Sequence, residues 1–202
     1  MTAATAPQSV NRSAWQLIVS GGAKIGVLTA IGVAAFALLS RSLAGTAETI
    51  GQAILILVGG TVFAFLPAHW IRPRSVDGIA WSAMLGLMGA VFFAAIDIAL
   101  LRHVGIYPWA WDLIGGGSVY WYLPVWFMGS ATLAWLGAWI VASQNRGSAG
   151  PLVGAAQAAG LAIVLFGVLV VSVGPFHAAL VALAYALALV VLVPLSAVFG
   201  RR

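Results

Sequence analysis

The sequence contains no cysteine, and this absence excludes disulfide bonds, thiolate metal sites and thiol redox chemistry. Charged residues are also scarce: they make up 6% of the chain, against 63% hydrophobic residues and a mean hydropathy of +1.09. Because water-soluble domains carry roughly a quarter charged residues, this chain is too apolar to keep a soluble surface. The composition therefore predicts an integral membrane protein.

The net charge of +5 is the one feature that suggests nucleic-acid binding. In so apolar a chain, however, basic residues typically flank membrane spans and face anionic lipid headgroups. We therefore expect membrane lipid and no nucleic acid as a partner. A span needs about 20 apolar residues, so the 202 residues accommodate a handful of helices and no separate soluble domain.

Long runs without charge divide the chain into membrane spans. The last run is too long for one helix, and it breaks at Gly174 and Pro175, which lower helix propensity and remove a backbone donor. A membrane β-barrel would show alternating polar and apolar residues, whereas these runs are apolar on all sides. The sequence thus predicts an all-α polytopic bundle over residues 13–200, after a flexible cytoplasmic tail over residues 1–12. The six predicted helices lie near 20–43, 48–70, 78–102, 119–143, 151–172 and 176–198.

The positions of the basic residues predict the orientation of the bundle. One side of the membrane has only Arg41 and Arg102. The other side has Arg12, Arg72, Arg74, Arg146, Arg201 and Arg202, and Lys24 lies near it as well. The positive-inside rule then places both termini in the cytoplasm and the protein in a cytoplasmic (inner) membrane.

The predicted outer loop between the third and fourth helices is rich in aromatic residues. Trp and Tyr prefer the headgroup level, so an ordinary aromatic belt accounts for them. A belt does not account for Asp112 or for the glycines 115–117, which allow the loop to fold back over a cavity as a lid. The aromatic residues of this stretch are Tyr107, Trp109, Trp111, Tyr120, Trp121, Tyr122 and Trp126.

Asp97 is the most informative charged residue, because it is predicted about one turn inside the outer end of the third helix. An ionised carboxylate there costs about 2.5–3.5 kcal/mol unless it is paired or hydrated. A structural ion pair with Arg41, which would tie the first helix to the third, is one hypothesis. A polar lining for a ligand cavity or ion path is the other. Arg102, His103 and His177 are the further candidates on the same side.

Two enzymatic or metal-dependent alternatives are weaker. His103, His177 and Asp97 supply a two-histidine, one-carboxylate set, but no local i, i+3 or i, i+4 spacing supports metal binding. Ser130 and His177 resemble the serine and histidine of the rhomboid intramembrane proteases, yet Ala131 stands where that family has a second glycine. We therefore expect no metal, no cofactor and a binding role rather than an enzymatic one.

Small residues recur every four positions in the last two predicted helices, and such residues let helix backbones approach closely in lipid. The spacing predicts that these helices pack as a close pair, and a face for a partner membrane protein is the alternative. The residues concerned are Gly150, Gly154, Ala155, Ala156, Ala159 and Gly160 in the fifth helix, and Ala178, Ala182 and Ala186 in the sixth.

One stretch resembles a known family. Residues 50–143 contain a basic turn at Arg72 and Arg74, the sequence Gly105-Ile106-Tyr107 at a helix exit, Asp112 in the outer loop and Tyr122-Leu123-Pro124 before the next helix. These features resemble the last three helices of the insulin-induced-gene (Insig) family and its bacterial relatives. The resemblance implies a six-helix bundle that holds a sterol or diacylglycerol-type lipid and regulates partner membrane proteins. The helix order departs from that family, since two helices follow the matched segment and one precedes it.

Together these observations predict a protein that binds a lipid or another amphipathic small molecule near the outer leaflet. Two alternatives are an accessory subunit of a larger membrane complex and a small transporter with Asp97 on its path. The expected ligand-contacting residues are Asp97, Arg102, His103, Tyr107, Trp109, Trp111, Asp112, Tyr120, Trp121, Tyr122, Trp126 and His177.

Overall fold

The computed structural model of the protein describes residues 8–106, 126–144, 150–174 and 178–199. The regular structure in these ranges is helical, and six helices are long and apolar enough to cross a membrane. The predicted all-α, six-span fold is confirmed. The helices are α1 (Gln8–Ser42), α2 (Gly45–Ile71), α3 (Val76–Ile96), α4 (Gly129–Gln144), α5 (Pro151–Val173) and α6 (Ala178–Phe199), and a π-helical turn (Asp97–Leu101) continues α3.

The main difference from the predicted boundaries is at the start of α1. This helix begins at Gln8, so it includes residues 8–12, which the sequence assigned to a loose tail. Its 35 residues make it about 50 Å long at about 1.5 Å per residue. Because the hydrocarbon core is about 30 Å thick, α1 either extends past the core or crosses it at a tilt. Residues 1–7 and 119–125, which belong to the predicted tail and the predicted fourth helix, lie outside the described residues.

The α2–α3 connection is a tight turn fixed by its own residues. Arg72 ends α2 in the left-handed conformation, with φ 52° and ψ 63°, and its backbone N–H donates to the Ala68 carbonyl O at 2.8 Å. The buried Pro73 follows, and a proline disfavours helical backbone at the preceding residue. Ser75 then caps α3 by accepting a hydrogen bond from the Gly78 backbone N–H at 3.3 Å.

Helices α1 and α3 run parallel and pack closely along their length. A Cβ added to Gly22 would lie 2.5 Å from Met88 Cγ, and one added to Gly26 would lie 2.6 Å from Phe92 Cβ. The two glycines therefore allow a backbone approach that any side chain would prevent. At the start of α1, Trp15 contacts Trp81 edge to face, with ring centroids 5.6 Å apart.

The largest buried cluster lies among α2, α4, α5 and α6. Helix α4 is central, since it packs against each of the other three and against α3. Gly137 of α4 contacts the Ala64 carbonyl O of α2 so closely that a Cβ would not fit. Tyr185 of α6 packs its ring over Gly60 of α2, and its side chain is buried.

Helices α5 and α6 pack side by side, as the small-residue spacing predicts. The buried small residues, however, are not all the expected ones. Gly154 is buried against Phe65 and Ile140 of other helices, whereas Ala156 and Gly160 are exposed. On α6, Ala182 and Ala186 are also exposed. The residues that form the buried contacts include Ala158, Ala162, Ala178, Ala184 and Ala188.

Candidate functional sites

The first candidate site is at the end of the bundle where α1 finishes at Ser42 and the π-turn finishes at Leu101, here called the aromatic end. Arg102 Nε donates to Asp97 Oδ2 at 2.9 Å. Both side chains are almost fully buried, with 5% of the arginine and 2% of the aspartate side chain exposed. Asp97 therefore lies beside an opposite charge, and their attraction offsets the free-energy cost of placing a carboxylate inside the membrane.

The π-turn is what brings the two charges together. Residues five apart lie on different faces of an α-helix, because each residue turns the helix by about 100°. In the wider π-turn, the Arg102 backbone N–H donates to the Asp97 carbonyl O at 3.0 Å, so these residues stand one above the other. The backbone hydrogen bond and the side-chain ion pair thus join the same two residues.

From the sequence, Arg41 is the predicted ion-pair partner of Asp97, and this prediction is wrong, because Asp97 pairs with Arg102. Arg41 Nη2 donates instead to the Gly105 carbonyl O at 3.0 Å. Gly105 has a positive φ of 66° and ends the helical segment, which leaves its carbonyl exposed to α1. A contact between the first and third helices exists as predicted, but it is a hydrogen bond from the Arg41 side chain to the Gly105 backbone.

Two aromatic side chains and His103 lie at the same end of the bundle as the ion pair. Trp126 is half-buried and packs on Phe93, with ring centroids 4.4 Å apart, so it faces the bundle rather than the headgroups. This contact, together with Leu101, closes the α1–α3 interface at the aromatic end. His103 is exposed, and its Nδ1 lies 3.0 Å from the Ile98 carbonyl O. A carbonyl only accepts, so Nδ1 carries the proton in this contact and Nε2 is directed elsewhere.

Most of the predicted ligand-contacting residues lie outside the described part of the chain. Of the twelve, the structure places Asp97, Arg102, His103 and Trp126, and it brings these four to the aromatic end. The others stay predictions: Tyr107, Trp109, Trp111, Asp112, Tyr120, Trp121, Tyr122 and His177.

The protease and metal alternatives receive no geometric support from the described residues. Ser130 is buried in the second position of α4, where its own carbonyl O faces Gly86 of α3. His177, its proposed partner, is outside the described ranges. Within those ranges, no three His, Asp or Glu side chains form a group that could hold a metal ion.

The second candidate site is a cleft that the sequence did not predict. It has a volume of about 290 Å³ and lies between α1 and α2 at the opposite end of the bundle, where α2 ends and α3 begins. We call this the basic end, and the site the basic cleft. Its lining residues are Leu17, Ser20, Gly21, Lys24, His69, Trp70 and Arg72.

Trp70 organises the basic cleft. Its ring lies against Gly21 of α1, where a Cβ would come within 3.3 Å of ring carbons. Lys24 Nζ is 5.9 Å from the centroid of the same ring, which is within range of a cation–π contact. Lys24, His69 and Arg72 are exposed, so three nitrogen-bearing side chains face one opening.

No protein-family model, curated protein or solved structure matches this chain. The Insig-like pattern of residues 50–143 therefore stays a prediction, and the function has to be inferred from the two sites.

Proposed function

We propose that the protein binds a lipid or a lipid-like amphipathic molecule at the aromatic end of the bundle. The observation that carries this proposal is the buried Asp97–Arg102 ion pair on a π-turn, at the end of the bundle where Trp126 packs on Phe93. A buried ion pair is a weak source of stability, because desolvation offsets the attraction between the charges. Single π-turns within α-helices also occur frequently at functional sites.

The ion pair changes the role expected for Asp97. Its carboxylate is held by Arg102, so Asp97 positions the guanidinium and does not itself offer a charge to a ligand. Arg102 and the exposed His103 form the polar side of the site. A ligand with hydrogen-bond acceptors in its headgroup fits this side. The rings of Phe93 and Trp126 supply the apolar wall.

The outer loop supplies the remaining contacts in this proposal. In the sequence, its Trp and Tyr residues begin at Tyr107, two residues after Gly105, where the described helical segment ends. Their amphipathic rings suit the boundary between a headgroup and its acyl chains. If the positive-inside orientation holds, this boundary belongs to the outer leaflet.

The transporter alternative is weakened by the same geometry. A proton or ion path through Asp97 needs a carboxylate that can separate from its counter-charge. Here the carboxylate is paired with Arg102 within the same helical turn. If Asp97→Asn abolished a pH-dependent flux in proteoliposomes while the protein stayed folded, the transporter hypothesis would replace lipid binding.

Native mass spectrometry of the gently extracted full-length protein tests lipid binding. The wild type should retain a co-purifying amphiphile, and His103→Gln and Trp126→Leu should each lose most of it. Trp135→Leu is the matched control, because Trp135 is an exposed tryptophan on α4 away from the ion pair. Equal retention by all four proteins would contradict the proposal.

An accessory-subunit role is the second candidate, favoured by the exposure of Ala156 and Gly160 on α5. A Cβ added to Gly160 would meet nothing within 4 Å, and both residues are exposed, so they do not pack against the other described residues of the bundle. Ala156→Leu and Gly160→Leu should then leave the isolated fold intact but remove the protein from a native assembly on blue-native gels. Ala80→Leu, at an exposed alanine of α3, is the control.

A further inference from the structure

The basic cleft collects cationic side chains that no carboxylate of the described residues neutralises. Among the described residues, Asp77 is the acid at the basic end, and no ion pair joins it to Lys24 or Arg72. Glu48 is far away at the start of α2, and Asp97 is paired at the aromatic end. Lys24 and Arg72 therefore face one opening with two uncompensated positive charges.

With the connection between α1 and α2 at residues 42–45 taken as one boundary of the hydrocarbon core, the cleft lies near the other boundary, at the level of lipid headgroups. Lys24 is 18 residues before the end of α1 at Ser42, a rise of about 27 Å at about 1.5 Å per residue. His69 is 24 residues after the start of α2 at Gly45, a rise of about 36 Å. Because the hydrocarbon core is about 30 Å thick, these side chains lie near the boundary opposite the aromatic end.

The backbone at Arg72 is strained in a way that directs its side chain. Arg72 is the one non-glycine residue with a positive φ in the described part of the chain. The left-handed conformation is unfavourable for a residue with a Cβ, and such strain is often found at binding sites. Here the conformation turns the chain after α2 and places Arg72 on the wall of the cleft.

We propose that the basic cleft binds a phosphate group carried by an anionic amphiphile, with Lys24 and Arg72 as the charged contacts. Arg offers a planar fork of N–H donors for phosphate, and Lys offers a point charge. Ser20 and His69 supply hydrogen bonds at the same opening. The volume of about 290 Å³ suits a headgroup rather than a whole lipid, so the acyl chains extend along the bundle into the bilayer.

Side chains have to provide the attraction. The carboxyl end of α2 points at the cleft, and the partial negative charge of a helix end disfavours an anion. Trp70 holds Lys24 over its ring and so limits the freedom of that side chain. Loss of either cation should therefore weaken binding strongly, without compensation from the backbone.

The test uses full-length protein in detergent and two lipid probes, phosphatidic acid and phosphatidylcholine, with binding followed by native mass spectrometry. The wild type should prefer phosphatidic acid. Lys24→Gln and Arg72→Gln should each weaken that binding about tenfold, the factor expected for one hydrogen bond between charged groups. Arg74→Gln is the matched control, since Arg74 is an exposed arginine of the same turn that does not line the cleft.

Three outcomes are decisive. Equal phosphatidic acid binding by the wild type and both cleft variants would overturn the proposal, and so would an equal loss in Arg74→Gln, which would indicate diffuse surface charge. Inorganic phosphate provides the second arm. If phosphate alone raises the thermal stability of the wild type but not of the cleft variants, and phosphatidic acid adds nothing, the site serves a soluble phosphate. Lys24→Gln and Arg72→Gln should retain the co-purifying amphiphile that His103→Gln loses, which separates this site from the proposed one at the aromatic end.

Discussion

Arg102 stands five residues after Asp97 and is joined to it twice, by a backbone hydrogen bond of 3.0 Å and by a side-chain ion pair of 2.9 Å. The two residues form one unit whose net charge is zero. This unit explains how a chain with so few charges keeps a carboxylate within a membrane span.

Removing one member of the pair should destabilise the protein more than removing both. Asp97→Asn or Arg102→Met leaves a buried charge without its counter-charge, and we expect each to lower the free energy of unfolding by about 3–5 kcal/mol. The double variant should lose clearly less than the sum of the two. Denaturant unfolding of the four proteins in detergent measures this coupling, and additive losses would show that the pair is not an energetic unit.

Arg41→Gln should have a much smaller effect. Arg41 is exposed and donates one hydrogen bond to the Gly105 carbonyl O, so we expect a loss of at most about 1 kcal/mol. The same unfolding assay checks this value. A loss as large as that of Arg102→Met would mean that the Arg41 contact supports the fold as strongly as the buried ion pair does.

Gly26→Ala should weaken the α1–α3 interface. The added methyl would lie 2.6 Å from Phe92 Cβ and 2.8 Å from the Phe93 backbone N, so one of the two helices has to shift. Overpacking of this kind costs about 1–3 kcal/mol. Gly32→Ala on the same helix is the control, because its Cβ would meet nothing within 4 Å. In a thermal unfolding experiment, the unfolding midpoint should fall for Gly26→Ala and stay unchanged for Gly32→Ala.

Tyr185→Phe should be neutral or stabilising. The Tyr185 hydroxyl is buried, and no described residue satisfies hydrogen-bond geometry with it. The Thr61 side chain is near it, but the two hydroxyls do not meet hydrogen-bond geometry, and the Thr61 hydroxyl donates to the Leu57 carbonyl O at 2.7 Å. Removing an unsatisfied buried hydroxyl while keeping the ring over Gly60 removes a cost without losing packing. A clear fall in the unfolding midpoint would reveal a partner for this hydroxyl.

Arg72→Gly should separate stability from phosphate binding. Glycine adopts the left-handed conformation without the Cβ clash, so we expect the stability of the bundle to stay the same or to rise by about 1 kcal/mol. The same variant should lose phosphatidic acid binding as Arg72→Gln does. Comparison of the two variants in the unfolding and lipid assays checks both effects, and a less stable Arg72→Gly would show that the arginine side chain supports the turn.

The six spans were predictable because each is a long apolar run, and their length is set by the thickness of the bilayer. The Asp97–Arg102 pair was not predictable, since residues five apart do not share a face of an α-helix. The π-turn is what aligns these two residues. One sequence signal was present: Arg102 is the basic residue closest to Asp97 along the chain.

The faces of α5 were harder to predict for a different reason. Small residues occupy so many neighbouring positions there that four-residue spacings occur on several faces at once, including those of Gly154, Ala155 and Ala156. The spacing alone could not tell which face packs inward. The bulky neighbours decide it, because Phe65 and Ile140 meet Gly154.

The basic cleft could have been anticipated from the predicted topology. Lys24 near the start of the first span and Arg72 after the second were both predicted at the same side of the membrane. Their meeting depends on the antiparallel packing of two consecutive helices. What the sequence did not reveal is the left-handed backbone of Arg72 or the position of Trp70 against Gly21.

The glycine contacts between α1 and α3 also have a consequence for synthesis of the protein in the membrane. The principal partner of α1 is α3 and not α2, so residues 22 and 26 are synthesised well before Met88 and Phe92, against which they pack. At about 5–20 residues per second, translation takes seconds to supply that partner. Until α3 is in place, the surface of α1 at Gly22 and Gly26 lacks its native partner. During this interval another helix can pack against that surface in its place.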